Sequence, residues 1–278
     1  MRNESASERL RRRWSRVCGP NPASTTHGAR PSARANWPPM NHDMMAMTAA
    51  DLHSTFEGHV LPGTMFILWA LLWIGQNFRA GAFEARDRAL ESSLVIPVLK
   101  VILPLIGVWV EIPGEGWGPT TTLMSLQHVT MYSAFALTGV VDLLAYRGLL
   151  PRAATFVAYA AAQTNAGYLF WGHAIHDGVD GIVHRILAVV FFTVAGLGIL
   201  DVFRPAAGVA WLRIGAQLVL GSWFILGAWI LYLSGWDLGA SYNVGRSSMY
   251  FSQMVMVIAS VVMAAKIAAD RRPGAVAG

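Results

Sequence analysis

The segment Ile182-Val-His-Arg-Ile-Leu-Ala-Val-Val-Phe-Phe-Thr-Val-Ala-Gly-Leu-Gly-Ile-Leu-Asp-Val-Phe203 decides the fold. Between Arg185 and Asp201 it carries no charge, and its apolar residues run on without the alternation of a half-buried strand. At about 1.5 Å per residue, a helix of this length covers the roughly 30 Å of hydrocarbon in a bilayer. No water is available there, so each backbone N–H and C=O must be satisfied within the segment, and the run reads as a spanning helix. Six further runs share the pattern: His59–Phe78, Ser93–Ile112, Thr121–Tyr146, Pro151–Gly172, Val209–Ser234 and Ser247–Ala269. The expected fold is all-α: a polytopic membrane protein whose residues 58–269 form a seven-transmembrane-helix bundle. Pro62, Pro97 and Pro104 fall inside these runs, where neighbouring helices can re-satisfy the freed carbonyls. No internal repeat is evident, which gives an inverted-repeat transporter no support.

Composition agrees. Of 278 residues 54% are hydrophobic and 13% charged, against about a quarter charged in soluble domains. The single cysteine, Cys18, lies outside every apolar run, so neither a disulfide nor a thiolate metal centre can form within one chain. The net charge of +5 is dispersed: eight of nineteen arginines lie at or before Arg34, and most others fall in short loops. That distribution points to the lipid bilayer as partner and excludes a nucleic-acid groove. Residues 1–57, with Arg11-Arg12-Arg13 and scattered Pro and Ser, are expected to be a disordered basic tail. Met40, Met44, Met45 and Met47 leave a later start of translation open, and residues 270–278 are expected to be a short cytoplasmic tail.

Cations are sorted by side. Arg79, Arg86, Arg88, Arg147, Arg152, Arg204, Lys266, Arg271 and Arg272 fall at the end where the first helix finishes. The opposite end holds Arg246, with Arg185 just inside the fifth run. The positive-inside rule then predicts a multi-pass protein of the plasma membrane, N-out and C-in. Lys100, Asp142, Asp201 and Arg213 all lie toward the basic end, where such groups pair, snorkel or mark a proton pathway.

Histidines are sorted the other way. His59, His128, His173, His176 and His184 come from four different runs, yet alternating helix direction brings all five to the extracytoplasmic end. Asp177 and Asp180 lie in the same short connection as His176. Imidazole is the commonest ligand of zinc, copper and iron, and a carboxylate beside it fixes its tautomer. The five histidines are therefore candidate metal ligands, with Asp177 and Asp180 as candidate catalytic residues that orient an imidazole or act as general base. Haem, held between two facing imidazoles, is the alternative cofactor. Tyr132, Tyr168, Trp171 and Trp236 at similar depth read as an aromatic belt. Glycines 178 and 181 are expected to break the chain between the fourth and fifth helices.

Four strings together resemble the transmembrane protein 45 family, also called domain-of-unknown-function family 716. They are Gly58-His59-Val60-Leu61-Pro62-Gly63; Leu126-Gln127-His128-Val129-Thr130-Met131-Tyr132, continuing to Asp142; Tyr168-Leu169-Phe170-Trp171-Gly172-His173-Ala174-Ile175-His176, with Asp180 and His184 downstream; and Gln217 through Gly221-Ser222-Trp223-Phe224 to Trp236-Asp237. The likeness spans residues 58–268 in order. It implies a seven-helix integral membrane protein and carries the family's histidine pattern onto His59, His128, His173, His176 and His184. The family's last-helix histidine has no counterpart here, where Tyr250 and Gln253 stand, and the connection from His176 to His184 is shorter. The resemblance names no reaction.

Three functions remain open at this level. One is a metal site near the outer leaflet, acting as an enzyme on a lipid or other membrane substrate. The second is a haem-binding electron carrier. The third is a non-catalytic scaffold or trafficking protein whose polar residues serve helix packing.

Overall fold

The structure, a computed structural model, describes residues 49–80, 94–111, 123–173 and 177–271. Residues up to 48 and from 272 onward, most of the two expected tails, lie outside the described residues. Seven α-helices and no strand occur among those described: α1 (Ala49–Ala80), α2 (Val95–Glu111), α3 (Leu123–Tyr146), α4 (Ala153–His173), α5 (Gly178–Phe203), α6 (Ala207–Ala228) and α7 (Ser241–Asp270). A π-helical turn, Trp229–Leu233, continues α6. Helix α1 starts nine residues before the expected boundary at 58. Ala49, Ala50 and Leu52 are good helix formers.

Among the described residues five helices are long and apolar enough to cross a membrane: those containing Phe56–Phe78, Leu126–Tyr146, Gly178–Phe203, Ala207–Leu233 and Ser241–Asp270. The described part of α2 has 17 residues, about 26 Å at 1.5 Å each. Helix α4 carries Gln163, Thr164 and Asn165 at its centre, which lowers its hydropathy. Gln163 is fully buried against other helices, whereas the exposed Thr164 hydroxyl donates to the Ala160 carbonyl of its own helix.

Contacts fix the helix directions. Gly58 lies against His128, and Phe66 against Phe135, so α1 and α3 run in parallel. His59 meets His184 and Phe66 meets Phe191, which makes α5 parallel to both. Helix α6 runs the other way, with Tyr232 beside Phe56 and Trp211 beside Phe78. Helices α2 and α4 also run antiparallel to the first set: Lys100 pairs with Asp142, Glu111 with His128, and Gly198 of α5 lies under Ala160. Helix α1 packs along α6, α2 along α3, and α4 along both α3 and α5, while α7 lies outside on α5 and α6. The centre is aromatic: Phe66 touches Phe135, Phe191 and Phe224 at ring separations of 5.3, 5.7 and 5.8 Å.

Close backbone approach makes this packing possible. A Cβ on Gly63 would lie 2.9 Å from the Gly221 carbonyl oxygen, and one on Gly221 would lie 2.6 Å from that of Gly63. On α2, a Cβ on Gly107 would enter the Tyr132 ring at 2.7 Å. Small residues at such crossings are the usual basis of helix association in lipid.

Gly63→Ala and Gly221→Ala are each expected to destabilise the purified protein by about 1–3 kcal/mol, the usual cost of overpacking. Gly196→Ala, inside α5 with nothing near its Cβ direction, is expected to leave stability unchanged or raise it by up to about 1 kcal/mol. Chemical unfolding in detergent reads the difference.

Candidate functional site

Two polar layers lie at opposite ends of the aromatic centre. The first belongs to the end where α1, α3 and α5 begin. His59 on α1 and His184 on α5 are both buried, and their rings meet edge to face at 5.7 Å. Phe170 of α4 stacks on His184 at 5.8 Å, and Phe224 and Tyr232 close on His59 at 6.1 and 5.6 Å. Tyr232 comes from the π-helical turn, whose extra residue re-aims the side chains that follow; such turns are frequent at functional sites.

The tautomer of His184 is set by its own helix. Its Nδ1 lies 2.9 Å from the backbone carbonyl oxygen of Asp180 and 3.3 Å from Asp180 Oδ1. A carbonyl oxygen can only accept, so Nδ1 carries a proton and donates. His128 of α3, also buried, has its Nδ1 3.1 Å from Glu111 Oε1 at the end of α2. This pair lies against α1 beside His59: a Cβ on Gly58 would sit 3.6 Å from both Glu111 Oε1 and His128 Cε1.

The structure thus brings His59 and His184 into contact and sets His128 against the residue preceding His59. Asp180 orients His184, whereas Asp177 is exposed, extended, and makes no capping hydrogen bond with its side chain. His176 and the side chain of His173 lie outside the described residues. Among the described residues no three His, Cys, Asp or Glu side chains form a group able to hold a metal ion. Sequence reasoning does not single out Glu111 or Tyr232. Glu111 closes an apolar run, and the nearness of His128 to the same membrane face is the only signal that points to it. Tyr132, expected in the aromatic belt, is buried instead, because Gly107 leaves room for its ring; Tyr168 and Trp171 are exposed as the belt requires. Gly178 has φ +77° and a Cβ there would strike the Leu238 carbonyl, so it makes the break before α5, while Gly181 is buried within that helix.

A small, half-open cleft begins one turn below this layer. Pro62, Phe66 and Trp69 of α1 face Lys100, Leu103 and Pro104 of α2 across it, and Tyr132 and Phe135 are among the α3 residues behind.

The second layer holds the buried ions. Lys100 Nζ is 2.5 Å from Asp142 Oδ2 and 5.4 Å from the centre of the Tyr159 ring. Tyr159 donates to Gln217 Oε1 at 2.7 Å. The Arg213 guanidinium lies 4.4 Å over Trp73, with its Nε 3.6 Å from Asp201 Oδ2. The four charged residues expected to pair, snorkel or relay protons are therefore two ion pairs tying α2 to α3 and α5 to α6.

No protein-family model matches the sequence.

Two outcomes check these geometries. In ¹⁵N-histidine spectra, His184 is expected to show a protonated Nδ1 and a bare Nε2; a proton on Nε2 alone would contradict the Asp180 contact. Lys100→Met is expected to cost about 3–5 kcal/mol by leaving Asp142 buried and uncompensated, and the double variant Lys100→Met/Asp142→Leu to recover most of it.

Proposed function

We propose that all seven helices cross the bilayer and that the histidine end binds a transition-metal ion. Helix direction supports the first part. Helices α3 and α5 run in parallel, so α4 has to return across the full thickness, and its 21 residues extend about 31 Å. By the same reasoning α2 returns between α1 and α3. The sorting of arginines after residue 58 supports an N-out, C-in protein of the plasma membrane, with the histidine end extracytoplasmic, whereas the eight arginines at or before Arg34 run against it.

The observation that carries the metal reading is the pairing of His59 with a His184 whose Nδ1–H is already committed to Asp180. A ligating histidine needs that arrangement: one nitrogen held by an oxygen acceptor, the other left as donor. His59 and His184 would hold the ion, Asp180 would orient His184, and Phe170, Phe224 and Tyr232 would wall the site. Such an ion supplies Lewis-acid polarisation and lowers the pKa of bound water toward neutrality. A histidine layer inside the bilayer favours a lipid or other membrane substrate. A second reading rests on the lack of a third donor among the described residues: a metal-free layer in which these rings serve helix packing in a scaffold protein.

Elemental analysis of the tag-free protein decides between them. The metal reading expects near-stoichiometric zinc, copper or iron, lost in His59→Ala and His184→Ala variants that keep wild-type helicity and size. Folded protein that takes up no metal overturns it and leaves the scaffold reading.

A further inference from the structure

Arg246, in the second turn of α7, is placed unlike the other buried or half-buried cations. Lys100, Arg213 and Lys266 each lie beside a carboxylate. Arg246 makes no ion pair among the described residues. Its guanidinium is held by rings instead, 4.3 Å over Trp236 and 5.7 Å from the Tyr250 ring, with Nη2 donating to the Tyr250 hydroxyl at 3.4 Å. Trp236 stacks on Tyr250 at 5.7 Å, and Trp229 meets Trp236 edge-on at 5.9 Å.

This aromatic platform is pre-formed. The Ser234 hydroxyl donates to the Ile230 carbonyl and accepts the Trp236 N–H. Gly235 turns the chain at φ +66°. Asp237 Oδ1 accepts the Gly239 N–H, and its carbonyl accepts from the Asn243 side chain, so both groups serve the loop. Finally, Val179 N–H donates to the Leu238 carbonyl at 2.8 Å, docking the loop on the start of α5. With one guanidinium face against rings, the edge N–H groups remain to bind two oxygens of one anion. The end of the bundle matters too. Exposed Tyr168, Trp171 and Tyr242 lie at this end, the pattern of a headgroup boundary. After residue 58, Arg246 and Arg185, the latter on an exposed position of α5, are the cations the sequence places at this end.

We propose that Arg246, with Trp236 and Tyr250, binds the phosphate of a phospholipid headgroup in the leaflet at the histidine end. The inference is independent of any metal at His59 and His184. The test uses the full chain in a phosphate-free maltoside detergent, with thermal unfolding followed as four compounds are added: phosphatidylglycerol, phosphatidylcholine, a diacylglycerol of the same chains, and inorganic phosphate. Both phospholipids are expected to raise Tm saturably, and diacylglycerol and inorganic phosphate to leave it unchanged. Arg246→Gln is expected to abolish the rise, and Arg246→Lys to require about tenfold more phospholipid, because an ammonium cannot bind two oxygens in one plane. An equal response in Arg246→Gln, or an equal response to diacylglycerol, overturns the site. A response to inorganic phosphate alone overturns the lipid. Should Arg246→Gln not fold, native mass spectrometry counts bound phospholipid in wild type and Arg246→Lys. Lower occupancy in Arg246→Lys at limiting lipid supports the site, and equal occupancy overturns it.

Discussion

Backbone contact between α1 and α6 at Gly63 and Gly221 sets the height of every layer in the bundle. With α1 held there, His59 lies one turn toward one end and meets His184, while Trp73 lies almost three turns the other way, over Arg213. Lipid tails are as apolar as the side chains they would replace, so no hydrophobic force pulls a displaced helix back. The fit itself holds α1. A glycine pair with nothing between the two backbones maximises dispersion contacts, and it leaves α1 free to present Phe66 to α3, α5 and α6 at once.

That aromatic centre keeps the two polar layers apart. Residues 59 and 73 of α1 are separated by about 21 Å along the helix axis, with Phe66 midway. Phe135, Phe191 and Phe224 fill the same level from three other helices. Beside this level the cleft lined by Tyr132 and Lys100 passes between α2 and α3.

Much of this is legible in the sequence. Unbroken apolar runs locate the helices, and short connections fix their alternating directions, which puts His59, His128 and His184 at one end without knowledge of any contact. The sorting works because helix direction is a topological fact that tolerates errors of a turn. Contacts do not tolerate such errors. Which face His128 presents depends on rotation about the α3 axis, and in lipid both faces of a helix are apolar, so periodicity carries little information. Glu111 escapes a reading of the sequence for that reason. Tyr132 reads as a belt residue because its burial depends on Gly107 of another helix. The π-helical turn arises from the chain's path after Ala228 and has no local residue signal; Trp-Ile-Leu-Tyr-Leu would sit equally well in a regular α-helix.

The two ends also bury polarity by different means, and this bears on which of them can do chemistry. Desolvating an ammonium or a carboxylate costs several kcal/mol, so Lys100 and Arg213 each require both a counter-ion and an aromatic face. Groups so engaged are committed to holding helices together. A neutral imidazole needs only one hydrogen bond to be buried, and for His184 the carbonyl of Asp180, one turn earlier on the same helix, supplies it. The ring itself packs between His59 and Phe170. Asp180 is only partly buried and lies in the first turn of α5. The residue that fixes the tautomer therefore touches both the buried ring and the outer boundary of the bundle. Chemistry at the histidine end needs no rupture of a structural ion pair, whereas chemistry at the basic end would have to break one.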